Sequence, residues 1–151
     1  MMLYKLNNVM DKTRFHSCVV SLSDKGPIGE KIEKAGVQVY YLRMRGLNSI
    51  PGGLWKLIHI INNEKPNIIQ GWMYHGNIAA CIASILSKYK KIVIWNIRHS
   101  LHVNGREKYL TWLAIHIGAR LSGKIPAIIY NSNVSLKQHM EIGYKTAHAE
   151  V

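Results

Sequence analysis

Three places in the chain gather side chains able to bind a ligand or move a proton, and each lies where a hydrophobic run ends. Residues 71–77 read GWMYHGN, residues 96–101 read NIRHSL, and residues 130–132 read YNS. The first brings Trp72, Tyr74, His75 and Asn77 together between glycines. The second sets Arg98 beside His99 and Ser100. There a guanidinium can grip a phosphate or carboxylate through two bonds, and an imidazole titrating near neutrality can bond or deprotonate a hydroxyl. In the third, Asn131 and Ser132 either contact a ligand or cap the helix that follows. Structural readings compete throughout: Trp72 and Tyr74 packing a sheet edge, His75 capping a helix, Asn77 bonding the turn, Arg98 and His99 solvating a loop. Helix caps more often use Ser, Thr, Asp or Asn, which keeps a functional role for His75 open.

Whether these groups can act together depends on the elements that carry them. Short β-branched or aromatic runs at residues 15–22, 37–42, 67–72, 91–98 and 126–130 predict five strands. Between them, apolar residues recur at helical spacing, predicting helices over 2–10, 28–35, 54–63, 75–87, 106–121 and 134–142. Strand and helix alternate, and the strands are apolar on both faces. The fold class that follows is α/β, a Rossmann-like parallel sheet with helices on both faces. In such a sheet ligands bind beyond the carboxyl ends of the strands. The ends at Trp72 and Arg98 would then share one rim, bringing His75, Arg98 and His99 to one cleft. The chain opens inside an amphipathic helix, MMLYKLNNVMDK, and stops just after another. The expectation is a single domain over 1–151, truncated at both ends, with a first strand missing.

Taken in order, VVSLSDKGPIGEKIEKAGVQVYYL, KPNIIQGWMYHGN, VIWNIRHSL, IIYNSNVSLKQH and EIGY resemble the amino-terminal domain of family 4 glycosyltransferases of the GT-B type. The resemblance covers nearly the whole chain and rests on the order and spacing of these pieces. It implies the acceptor-side half of an enzyme with two Rossmann-like domains, the second of which binds the sugar nucleotide. It further implies transfer with retention, in polysaccharide biosynthesis, to a saccharide or lipid-linked acceptor. His99 and His75 would be catalytic, with Arg98, Trp72, Tyr74, Asn77, Ser100 and Asn131 binding substrate. Which of Arg98 and His99 holds the family position is left open. The family's first strand, which would be the central one, and its glycine-rich loop are absent here. So are the donor domain and its paired E-x7-E glutamates. No cofactor is expected in this fragment, whose nucleotide-sugar donor would come with the missing carboxy-terminal domain. Alone, it should be inactive.

Composition narrows the partners. Twenty Lys and Arg face eight Asp and Glu, a formal net charge of +12, which favours an anionic partner. The only dense basic clusters are Arg43-Met44-Arg45 and Lys88-Tyr89-Lys90-Lys91. A stripe of charge interleaved with aromatics, usual in nucleic-acid binders, is missing, so nucleic acid is disfavoured. An anionic membrane surface fits better: the expected location is cytoplasmic, peripheral at the inner face of the membrane. Two cysteines without C-x-x-C spacing suit a reducing compartment. The eight histidines show no metal-ligand spacing, and no metal is expected. Neither a dinucleotide-binding glycine motif nor the G-x-S-x-G setting of a hydrolase nucleophile occurs. The alternative to a transferase is a non-catalytic basic module that binds an anionic ligand, a membrane surface or RNA.

Overall fold

A computed structural model describes residues 2–88, 91–101, 107–145 and 148–151. His102, Arg106 and the Tyr89-Lys90 part of the basic cluster lie outside the described residues. The chain divides into two compact units, Met1–Leu57 and Ile58–Val151.

The first unit holds α1 (Met2–Val9), β1 (Cys18–Ser21), α2 (Pro27–Lys34), β2 (Gln38–Tyr41) and a single 3-10 turn at Leu47–Ser49. Strands β1 and β2 pair in parallel, Val19 opposite Val39, so a crossover must join them, and α2 is that crossover. Pro27 opens α2, where its missing N–H costs nothing, and Gly36 ends it at φ +80°, a backbone shape that suits glycine. Ile32, Val37 and Val39 form the small core, with Leu3, Tyr4, Val19 and Tyr41 packed against it. At the amino terminus Asn7 is buried between two partners, donating to the Leu3 carbonyl at 2.9 Å and accepting from the Ser17 hydroxyl at 2.7 Å.

Helix α3 (Ile50–Glu64) begins earlier than its apolar spacing suggests, because Pro51 fits a first turn and Gly52 and Gly53 follow within it. The second unit continues as β3 (Ile68–Trp72), α4 (Met73–Leu86), β4 (Ile92–Ile97), α5 (Tyr109–Ser122), β5 (Ile128–Tyr130), α6 (Asn133–Glu141) and β6 (Ala149–Glu150). Its four strands pair in parallel in the order β3-β4-β5-β6, so α4, α5 and α6 are successive crossovers. Trp95, Asn96 and Ile97 are all buried although neighbouring side chains on a strand point to opposite faces. Both faces of β4 are therefore covered. Trp95, Ile97 and Ile128 are the centre of the main core, with Tyr74, Ile115, Tyr130 and Tyr144 around them.

The molecule is thus α/β with parallel sheets flanked by helices, and each of the five expected strands contains an observed one. Two features differ from the sequence reading. The strands form two sheets, β1-β2 and β3-β4-β5-β6. A sixth, β6, pairs with β5, Ile128 opposite Ala149. With two residues it carries no pattern to read.

One close approach fixes how α4 sits on β3. A Cβ added at Gly71 would come within 2.6 Å of Asn77 Cα, a backbone atom that can yield only if the helix shifts. We expect Gly71→Ala to lower stability by about 1–3 kcal/mol, as overpacking does. Urea unfolding monitored by circular dichroism will read it, and an unchanged midpoint would place α4 farther from β3 than this contact requires.

Candidate functional site

The first chemistry-bearing stretch is built differently from the loop that its glycines and polar residues suggest. Strand β3 runs through Trp72, which is extended at φ −123°, and α4 begins at the next residue. The chain turns there because Met73 adopts φ +61°, a left-handed conformation that costs a non-glycine residue on the order of 1 kcal/mol. No connecting loop intervenes. Tyr74 is consequently turned into the core, while His75, one residue on, is exposed in the first turn of α4 rather than capping it. Asn77 is buried against Gly71, and its Oδ1 has no hydrogen-bond partner among the described residues.

Helix α6 supplies the groups that sequence inspection passes over. Ser132 caps it, its hydroxyl accepting from the Ser135 N–H at 3.1 Å. Ser135, Gln138 and His139 then fall at i, i+3 and i+4, on one face of the helix. Gln138 clamps the segment after β4 from both sides: its Oε1 accepts from the Leu101 N–H at 2.8 Å and its Nε2 donates to the Leu101 carbonyl at 3.1 Å. The Ser135 hydroxyl donates to the His99 carbonyl at 2.7 Å. His139 is fully buried. Its Nδ1 lies 2.7 Å from the Ser135 carbonyl, which can only accept, so Nδ1 carries the proton. Nε2 is then the acceptor for the Tyr74 phenol at 2.9 Å. Burial pulls the His139 imidazole below its ordinary value, with His99 pulling the same way and the Ser135 carbonyl opposing. Burial likewise raises the Tyr74 phenol far above its usual range, with Glu107 and Tyr130 adding to the effect. Both groups are neutral at pH 7, in the states that this hydrogen bond needs. The Tyr130 phenol, beside His139 at a ring separation of 5.6 Å, is pushed up by burial to about 12.

Above this neutral layer lie the half-exposed groups. Trp72 of β3 pairs with Asn96 of β4, and Ile97 pairs with Tyr130 of β5, so the carboxyl ends of three strands lie on one rim. Arg98 sits over the Trp72 ring, its guanidinium carbon 5.9 Å from the centroid. This holds the cation by its attraction to the aromatic face. His99 turns its Nε2 to Glu107 Oε1 at 2.9 Å and stands edge-on to Tyr74 at 6.3 Å. A carboxylate on one ring nitrogen fixes the orientation of the imidazole, the arrangement that leaves the other nitrogen aimed to bond a hydroxyl. Asn96 is buried on β4 with its Oδ1 lacking a partner among the described residues.

Arg98 and His99, indistinguishable as neighbours in sequence, therefore have separate surroundings, one against an aromatic ring and one against a carboxylate. Ser100 and Asn131 are exposed, and the Asn131 N–H donates to the Ile97 carbonyl at 3.2 Å. Glu107, Ser135, Gln138, His139 and Tyr130 are the participants not anticipated. The polar i, i+3, i+4 spacing in SLKQH was the one visible signal for Ser135, Gln138 and His139. Among the described residues no three of His, Cys, Asp and Glu gather closely enough to hold a metal ion.

Comparison of the chain with models of protein families, with curated proteins and with solved structures finds no match.

The buried imidazole makes stability depend on pH. Because the folded state depresses the His139 value, its contribution is fully present above the ordinary value of 6.5 and is lost as pH falls below it toward the folded value. A single group of this kind can tilt the unfolding free energy by at most about 1.4 kcal/mol per pH unit. We expect His139→Gln to flatten the decline in stability between neutral and mildly acidic pH. Parallel slopes for the two proteins in urea unfolding would show that His139 charges as easily folded as unfolded.

Proposed function

We propose that this chain is the acceptor-side half of a glycosyltransferase of the GT-B, family 4 type. It would hold a saccharide or lipid-linked acceptor in the cytoplasm while a donor domain, outside this chain, brings the nucleotide sugar. The observation that carries the reading is the pairing of His99 with Glu107 at the carboxyl-end rim of a parallel sheet, where α/β folds bind their ligands. Arg98 on its Trp72 platform stands next in sequence.

In this reading each group has a distinct task. His99, oriented by Glu107, bonds the acceptor hydroxyl and takes up its proton as the oxygen bonds the anomeric carbon of the sugar and the bond from that carbon to the diphosphate breaks, the nucleoside diphosphate leaving from the donor domain. Arg98 grips an anionic group of the acceptor through two parallel bonds. Exposed His75, Ser100 and Asn131 offer further hydrogen bonds to a sugar. Tyr74, His139 and Ser135 lie under the rim and hold the His99 backbone in place without meeting the acceptor.

In the enzyme that includes the donor domain, His99→Ala should lower the turnover number by about 10²-fold or more, the lower range of general acid–base contributions. Glu107→Gln, which keeps the bond but removes the charge, should cost about 10-fold, as loss of an orienting partner does. Arg98→Ala should act mainly on the Michaelis constant for an anionic acceptor. Steady-state kinetics with saccharide acceptors will separate these, and full activity in His99→Ala and His75→Ala together would overturn the assignment. For this chain alone, calorimetric titration with UDP- and GDP-sugars should give no micromolar binding. Such binding would move the donor site into this chain.

A further inference from the structure

Helix α5 is apolar on its inner face and carries large apolar side chains on its outer face too, alongside His116 and the exposed Arg120. Its inner face buries Ala114, Ile115 and Gly118 in the main core. On its outer face Tyr109 is 74 % exposed, Leu110 51 % and Trp112 46 %, with Leu113 and Ile117 beside them. A helix covered by a core on one side alone normally puts charged and polar residues on the other. Here the outer face carries five large apolar side chains, and a contiguous exposed patch of this kind marks a surface that meets something. The patch is ordered by its own contacts. Tyr109 stacks on Trp112 at 6.4 Å, and Trp112 lies 4.0 Å from the His116 ring, whose Nδ1 donates to the Trp112 carbonyl at 2.9 Å.

Along α5 and its immediate flanks in sequence the charges have one sign. From Lys108 to Lys124 the chain contains no acid, and its charged residues, Lys108, Arg120 and Lys124, are all cationic and exposed. Beside the carboxyl half of α5 an open hollow of about 370 Å³ is lined by His116, Arg120 and Lys145, and no acidic residue lines it. Glu107, the acid nearest the start of the helix in sequence, is half-buried and bonded to His99.

We infer that α5 lies in the interface of an anionic phospholipid surface. Tyr109, Trp112 and the neighbouring aliphatic side chains would enter the headgroup–acyl boundary, and the hollow of His116, Arg120 and Lys145 would receive a lipid phosphate. Each part fits such an occupant. Tyrosine and tryptophan favour that boundary, aliphatic residues are buried within it, and a cationic rim meets the negative leaflet. No helix among the described residues is long and apolar enough to cross a membrane, so α5 would lie on it. The inference deepens the acceptor reading, because Glu107 of the proposed site lies two residues before Tyr109. A protein docked through α5 would hold that site at the membrane surface, where a lipid-linked acceptor presents its sugar. Lipid docking requires no sugar transfer, so either reading can fail without the other.

The experiment is sedimentation of this chain with vesicles of phosphatidylcholine alone, and of phosphatidylcholine mixed with phosphatidylglycerol. We expect binding to the mixed vesicles, weakened by high salt, and about 10-fold or more weaker binding to the neutral ones. Trp112→Glu and Leu113→Glu, both surface changes, should reduce binding to mixed vesicles by about 10-fold or more, and Arg120→Glu should erase the preference for anionic lipid. Brominated phospholipid should quench part of the wild-type tryptophan emission, and Trp112→Phe should abolish that part, a readout that does not rely on a charged substitution folding. Wild-type protein that ignores both vesicle types, or variants that bind as it does, would overturn the inference. So would light scattering that shows a lipid-free dimer broken by Trp112→Glu, since a second copy would then cover the face.

Discussion

A single uncharged imidazole ties the candidate site together. His139 has no exposure to water, donates from one nitrogen to the helix that carries it and accepts on the other from Tyr74, at the start of a different helix. The same turn of α6 reaches out through Ser135 to the His99 carbonyl and through Gln138 to both backbone groups of Leu101. Were the ring charged, it would lose its acceptor, and an unpaired ion would be left in the core at a cost of several kcal/mol. The depressed proton affinity that burial imposes is therefore a condition for α4, α6 and the segment after β4 to keep their mutual positions.

That fixed layer explains the division of labour at the rim. The backbone after β4 is held from below by neutral hydrogen bonds, whereas the side chains of Arg98 and His99 are held from beside by an aromatic face and a carboxylate. Orientation and charge are supplied by different neighbours, so a change in one leaves the other in place. The parallel sheet makes the arrangement possible, because it delivers the ends of β3, β4 and β5 to one edge.

Much of the architecture was legible in the sequence because it depends on repeated, local chemistry. The strands at 67–72 and 91–98 announce themselves by β-branched residues, and the helices by apolar spacing. What escaped depended on single contacts. Gly71 falls inside the expected strand, but nothing in the letters shows that Asn77 approaches it too closely for any side chain. Nothing in the letters marks Met73 as the residue that turns left-handed. His139, one of eight histidines, gains its meaning from Tyr74, 65 residues away. Glu107 pairs with His99 across a gap of eight residues that no periodicity spans. The short extended end of the chain gave no sign that it pairs as β6, since two residues carry no alternation.

The order of strands in the larger sheet has one more consequence. From β3 to β6 the order in space is the order in sequence, so each strand pairs with the one synthesised just before it. A parallel sheet usually demands slow, distant pairings, because loop closure must precede them. Here every pairing spans one helix only. As the polypeptide leaves the ribosome, the sheet can grow at a single edge, one strand and one helix at a time, with each new hydrophobic strand meeting a partner already waiting. The exposed interval in which such strands aggregate is correspondingly short.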